Sequence, residues 1–131
     1  MSKKVISTAA LLGMIAIILG AFGAHALKKV LSTEELVTFE TGVRYQMYHA
    51  FFLLFIGLNT SLSEKSQKII YYLTISGVLL FSGSIYFLAT NSLTSFDFKK
   101  IGFITPIGGV LLISAWAVLL FDFLKNTKKK I

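Results

Sequence analysis

The chain has 131 residues, 55% hydrophobic and 15% charged, with a mean hydropathy of +0.76; soluble domains usually carry about 25% charged residues, which excludes a water-facing globule. The absence of cysteine removes disulfides, thiolate metal sites and thiol nucleophiles together. The formal charge of +7 comes largely from lysines that flank apolar runs, as at membrane edges, and no basic face interleaved with aromatics points to nucleic acid as a partner.

A helix needs roughly 20 mostly apolar residues to cross a hydrocarbon core about 30 Å thick. Four segments qualify, at about residues 5–27, 43–62, 69–89 and 103–124. The expected fold is all-α, an integral membrane four-helix bundle forming a single domain over residues 1–131. Span 1 mimics a signal peptide, with a basic start and Ala24-His25-Ala26 as an A-x-A-like site. Its apolar run exceeds the roughly 7–15 residues of a signal h-region, so it reads as a retained span. Ala9 with Gly13, and Ala16, Gly20 and Ala24, form small-residue rows that let helices approach closely.

In the following loop, Ser32 with Glu35 reads as a capping box, with Leu31 stapled onto Leu36. A helix starting at Thr33 and continuing through Leu62 reaches about 45 Å, longer than the core. It either rises out of the membrane as an interfacial helix before span 2 or bends, with Gly42 as the hinge. Here "ETGVRYQMYHA" (residues 40–50) brings polar chemistry to the start of span 2. Glu40, Arg44 and Tyr48 share one stripe; Gly42, Tyr45, Gln46 and His49 share the opposite one. Spaced i,i+4, Glu40 and Arg44 permit an ion pair, an interfacial anchor before it is a headgroup- or anion-binding pair. His49 lies about 20 Å of helix from Leu62, within the membrane. It reads either as an interhelical hydrogen bond or as a functional group.

Span 3 opens with Tyr71 and Tyr72, read as interfacial aromatics, and carries Ser82, Ser84 and Tyr86 in its second half. Ser76 with Gly83, and Gly108 with Gly109 in span 4, are further small-residue rows, and Gly20, Gly83 and Gly108 are expected to draw the helices together. Phe96 and Phe98 before span 4 read as interfacial aromatics. Thr105 and Pro106 read as N-cap and first residue of span 4. Trp116 is too deep for an aromatic belt and is expected to pack between helices. No strong internal repeat appears.

With four spans both termini share a side. That side holds eight basic residues: Lys3, Lys4, Lys65, Lys68, Lys125, Lys128, Lys129 and Lys130. The other holds five, Lys28, Lys29, Arg44, Lys99 and Lys100, so both termini are expected to be cytoplasmic. In that frame the polar residues of all four spans gather in the outer leaflet. Tyr45 and His49 are expected to face the bundle interior and to line a polar cavity there with Ser82, Tyr86 and Thr105. The candidate binding cluster is His49, Tyr45, Gln46, Arg44, Glu40, His25, Ser82, Tyr86 and Thr105. No ligand spacing such as H-E-x-x-H is present, so neither metal nor cofactor is expected, and no residue is assigned as catalytic.

"GAFGAHAL" (20–27), "ETGVRYQMYHA" (40–50), "FSGSIY" (81–86) and "GFITPIGG" (102–109) together resemble the YgdD/YwdK-like family of small membrane proteins, which has a eukaryotic transmembrane relative. The likeness touches all four spans; Ala26 and Gly42 depart from it, where Gly and Ala are expected, and both are small. It implies a multi-pass plasma-membrane protein and supplies no catalytic assignment. The expected function is binding of a lipid or membrane partner through the outer-leaflet cluster, the lipid bilayer being one partner and further copies of the chain another. The alternatives are a small oligomeric transporter and an enzyme acting on a lipid headgroup, with His49 as base and Arg44 holding phosphate.

Overall fold

The computed structural model describes the backbone of residues 1–130 and the side chains of residues 1–125. Ile131 lies outside the described residues, as do the side chains of Lys128, Lys129 and Lys130, three lysines of the basic count. Four helices follow one another: α1 (Ser2–His25), α2 (Thr33–Leu58), α3 (Glu64–Ala89) and α4 (Ile104–Lys130). Short 3₁₀ turns at Leu27–Lys29, Asn91–Leu93 and Phe98–Ile101 complete the connections, and no strand occurs among the described residues.

The helix ends follow local chemistry. Ser32 caps α2 by accepting the Glu35 N–H (3.1 Å), while the Glu35 carboxylate accepts the Ser32 N–H (2.9 Å), the expected capping box. The C-terminus of α2 falls at Leu58 rather than Leu62, because Asn59 turns extended and its Oδ1 accepts the Ser61 N–H at 2.8 Å. Helix α2 runs unbroken through Gly42. Helix α4 starts at Ile104, ahead of the expected Thr105 cap. Pro106 still falls in the first turn, where a missing N–H is harmless.

Neighbours pair antiparallel in chain order, α1 with α2, α2 with α3 and α3 with α4. The pairing is tightest at glycines. A Cβ on Gly57 would lie 2.6 Å from Ile6, one on Gly77 2.6 Å from Leu112, and one on Gly108 2.3 Å from the Phe81 backbone nitrogen. Gly83 meets nothing within 4 Å, so it brings no helix closer, contrary to expectation. At the end of the bundle that carries the N-terminus, the core is Val5, Ala9, Phe52, Leu53, Ile56, Ile70, Tyr71 and Ala115; at the far end it is Leu27, Leu31, Phe39 and Ala89. Tyr71 is therefore a core residue, its hydroxyl paired with Thr8 at 2.9 Å, whereas Tyr72 is exposed.

The surface inverts the soluble pattern. Ile17, Leu79, Ile113 and Phe121 are each about two-thirds exposed, while Gln46, His49, Gln67, Thr74 and Ser82 are buried. Such an outside is matched to hydrocarbon rather than water. Among the described residues, three helices, Ser2–Lys29, Glu64–Ala89 and Ile104–Lys125, are long and apolar enough to cross a membrane. The polar turns of α2 keep it below that mark on composition alone, and its length of 26 residues spans about 39 Å.

Candidate functional site

The polar residues of α2 divide sharply by face. Glu40, Arg44 and Tyr48 point outward and are exposed. Among the described residues, neither Glu40 nor Arg44 takes an ion-pair or hydrogen-bond partner. On the opposite face, Gln46 is 4% exposed and uses both ends of its amide. Its Nε2 donates to the Leu12 carbonyl of α1 (2.9 Å), and its Oε1 accepts the Tyr86 hydroxyl of α3 (2.6 Å). One turn earlier, Ser82 donates to the Gly42 carbonyl at 2.8 Å. The Tyr86 ring lies so close over Gly42 that a Cβ there would sit 2.7 Å from it. Gln46, Ser82 and Tyr86 thus tie α1, α2 and α3 into one unit.

His49, equally buried, serves the fourth helix. The Trp116 indole N–H of α4 donates to His49 Nε2 at 3.2 Å, so that nitrogen presents its lone pair. The remaining nitrogen, Nδ1, then carries the proton and donates to the Tyr45 carbonyl at 2.7 Å. The neutral imidazole has both positions filled. Its partner within α2 is the Tyr45 backbone; the Tyr45 ring instead packs on Phe81 and Tyr48, centroids 5.1 and 5.5 Å apart, and is partly exposed.

These side chains do not form one cavity. Tyr45 and His49 line a groove of about 330 Å³ with Phe81, Gly109, Leu112, Ile113 and Trp116. Ser82 and Tyr86 belong to the α1–α2–α3 linkage, and the Thr105 hydroxyl bonds Ser84 between α3 and α4. His25 is exposed in the last turn of α1, away from His49. Among the described residues, no group of three or more His, Cys, Asp or Glu is placed to hold a metal. The arrangement holds helices together and leaves one outward-opening, mainly apolar groove floored by an imidazole.

Trp116 packs between α4 and α2, as expected, but the bond it makes there was not foreseen. It is half exposed, with its ring centroid 4.1 Å from that of Phe52 and the rings inclined by 36°. A signal existed: an indole N–H deep in a span needs an acceptor, and few side chains in neighbouring spans offer one. Polar joints at the terminal end were also missed. Gln67 donates to Ser2 Oγ (3.2 Å) and the Ile56 carbonyl (3.1 Å), and Ser66 donates to Asp122 at 2.7 Å.

A family model described as "Protein of unknown function (DUF423)" matches residues 19–109. A UPF0382 membrane protein of Staphylococcus epidermidis is 42% identical over 123 residues, covering 94% of this chain and 97% of its own. A UPF0382 membrane protein of Haemophilus influenzae is 35% identical over 126 residues, 96% of this chain and 98% of its own. The UPF0382 inner membrane protein YgdD of Escherichia coli is 34% identical over 131 residues, 98% of this chain and 95% of its own. No solved structure matches.

Proposed function

The chain belongs to the DUF423 family, that of the UPF0382 membrane proteins, and we propose that it is a non-enzymatic lipid-binding protein whose α2–α4 groove holds one apolar chain of a bilayer lipid. Multi-pass membrane residence follows from the named relatives and the three apolar helices. In this reading α2 crosses with the others, since it packs antiparallel between α1 and α3. Both termini are cytoplasmic, on the basic count.

The observation that carries the proposal is the indole–imidazole bond at the floor of the groove. With its N–H fixed on His49 and its face on Phe52, Trp116 acts as a wall that does not fold into the space beside it. At about 330 Å³ the groove falls in the size range of small-molecule sites, roughly 300–1,000 Å³, and it has their mainly apolar lining with few polar groups. Ile113 is 69% exposed on its rim, so a lipid chain enters sideways without crossing protein.

Filling the groove tests the idea. Gly109 lines the groove, and a Cβ there meets the Phe81 ring at ordinary contact distances of 3.7 and 3.8 Å, so Gly109→Leu is the substitution that fills the groove from its own wall. Native mass spectrometry of purified protein should show co-purified lipid on the wild type and on Gly83→Leu, which fills a different surface, and its loss from Gly109→Leu. Unchanged lipid on a folded Gly109→Leu variant removes the proposal.

A further inference from the structure

At the opposite end of the bundle, α1 and α3 assemble a second surface with different chemistry. Lys4 Nζ donates to the Tyr72 hydroxyl at 3.2 Å and lies 5.5 and 5.4 Å from the ring centroids of Tyr71 and Tyr72. The bond uses the phenol as acceptor, and its own O–H remains available to donate. Lys68 stands one helical turn before Tyr72 on the same face, and Ser76 one turn after, with Ile69 and Leu73 alongside. These residues and Leu111 of α4 line a groove of about 470 Å³.

The groove is charged at one end and mainly apolar along the rest. Lys68 and Tyr72 sit at the terminal edge of α3, while Leu73, Ser76 and Leu111 run toward the middle of the bundle. Lys4 and Lys68 are exposed, and among the described residues Lys68 takes no hydrogen-bond or ion-pair partner, Glu64 included. Asp122, on the same side, accepts from Ser63 and Ser66.

We propose that Lys4, Lys68 and Tyr72 bind the phosphate of an anionic phospholipid whose acyl chain lies along Leu73, Ser76 and Leu111. Charge complementarity selects the occupant. Two ammonium groups and a phenol O–H match a phosphodiester with net negative charge, and a zwitterionic headgroup brings a cation that the lysines repel. The apolar run gives the site a lipid rather than a free phosphate, since a water-soluble anion gains nothing from it. This site shares no residue with the α2–α4 groove, so either proposal stands if the other fails.

The test is the full-length protein reconstituted with equal amounts of phosphatidylglycerol and phosphatidylcholine, followed by native mass spectrometry of retained lipid. The wild type should retain phosphatidylglycerol preferentially. Lys4→Gln/Lys68→Gln should lower that preference by about fivefold per lysine removed. Lys65→Gln/Lys125→Gln removes the same charge from the same side, off the groove, and should leave it unchanged. Ser76→Trp should displace the lipid by filling the chain's path, with folding checked by thermal unfolding. Equal preference in wild type and Lys4→Gln/Lys68→Gln overturns the site. So does an equal loss in Lys65→Gln/Lys125→Gln, which would reduce the effect to bulk charge, and so does full retention by a folded Ser76→Trp.

Discussion

At the scale of single residues, burial separates the polar groups of α2 into those that bind neighbours and those that meet the surroundings. Gln46 has its carbonyl on Tyr86 and its amide N–H on α1. Replacing it by Leu strands the Tyr86 hydroxyl, which costs about 1–3 kcal/mol for a buried group left unmatched. Tyr86→Phe strands the Gln46 oxygen in the same way. The expected outcome is that the double variant is more stable than the two single losses added together, with a coupling of about 0.6–2 kcal/mol. Thermal unfolding of the four proteins in detergent measures it; strictly additive losses would mean the bond contributes nothing. Glu40 and Arg44 offer the contrast, since a charged residue on an exposed face needs only water or a headgroup nearby.

At the scale of elements, the first turn of α2 couples two connections. The Glu35 carboxylate accepts from Ser32 within the capping box and from the Ser92 hydroxyl (2.8 Å) in the α3–α4 connection. Outside the membrane-spanning part, the Ser32 N–H, then the Ser92 hydroxyl, then the Ser32 side chain hold the Glu35 carboxyl below its ordinary pKa of 4.5. The unfolded chain therefore takes up this proton first on acidification. The stabilisation is complete above about pH 4.5 and is lost as the pH falls through the lower folded value. Melting temperatures measured in detergent from about pH 6 to about pH 3 should fall less steeply for Glu35→Gln than for the wild type. Parallel curves would show that the carboxylate does not link the two connections.

At the scale of the whole molecule, the up-and-down order of the helices puts the three connections on alternate sides, and orientation becomes a single binary choice. The basic bias of eight against five predicts the terminal side as cytoplasmic. The chain has no cysteine, so single cysteines report cleanly. Ser95→Cys should react with an impermeant thiol reagent on intact cells or spheroplasts, and Lys65→Cys should react only after permeabilisation. Both positions are exposed, so reactivity reflects the side and not burial. The reverse labelling pattern would invert the orientation and place the Lys4–Lys68 surface in the outer leaflet.

What the sequence determined by itself was what composition and local hydrogen bonding control: an all-helical membrane protein, the apolar segments, and the Ser32–Glu35 cap, whose partners lie three residues apart. The inward stripe of α2 was legible in part: Gly42, Gln46 and His49 repeat at helical spacing and are buried, whereas Tyr45, expected on the same inward face, is exposed. Tertiary structure alone decided which residue each one meets. Gln46 takes Tyr86 and Leu12, and His49 takes Trp116, across separations of 40, 34 and 67 residues. Periodicity fixes a residue's face but not the register of the next helix. That register is set where Gly57, Gly77 and Gly108 let backbones close up, which is also why Gly83, alike in sequence, was left facing open space.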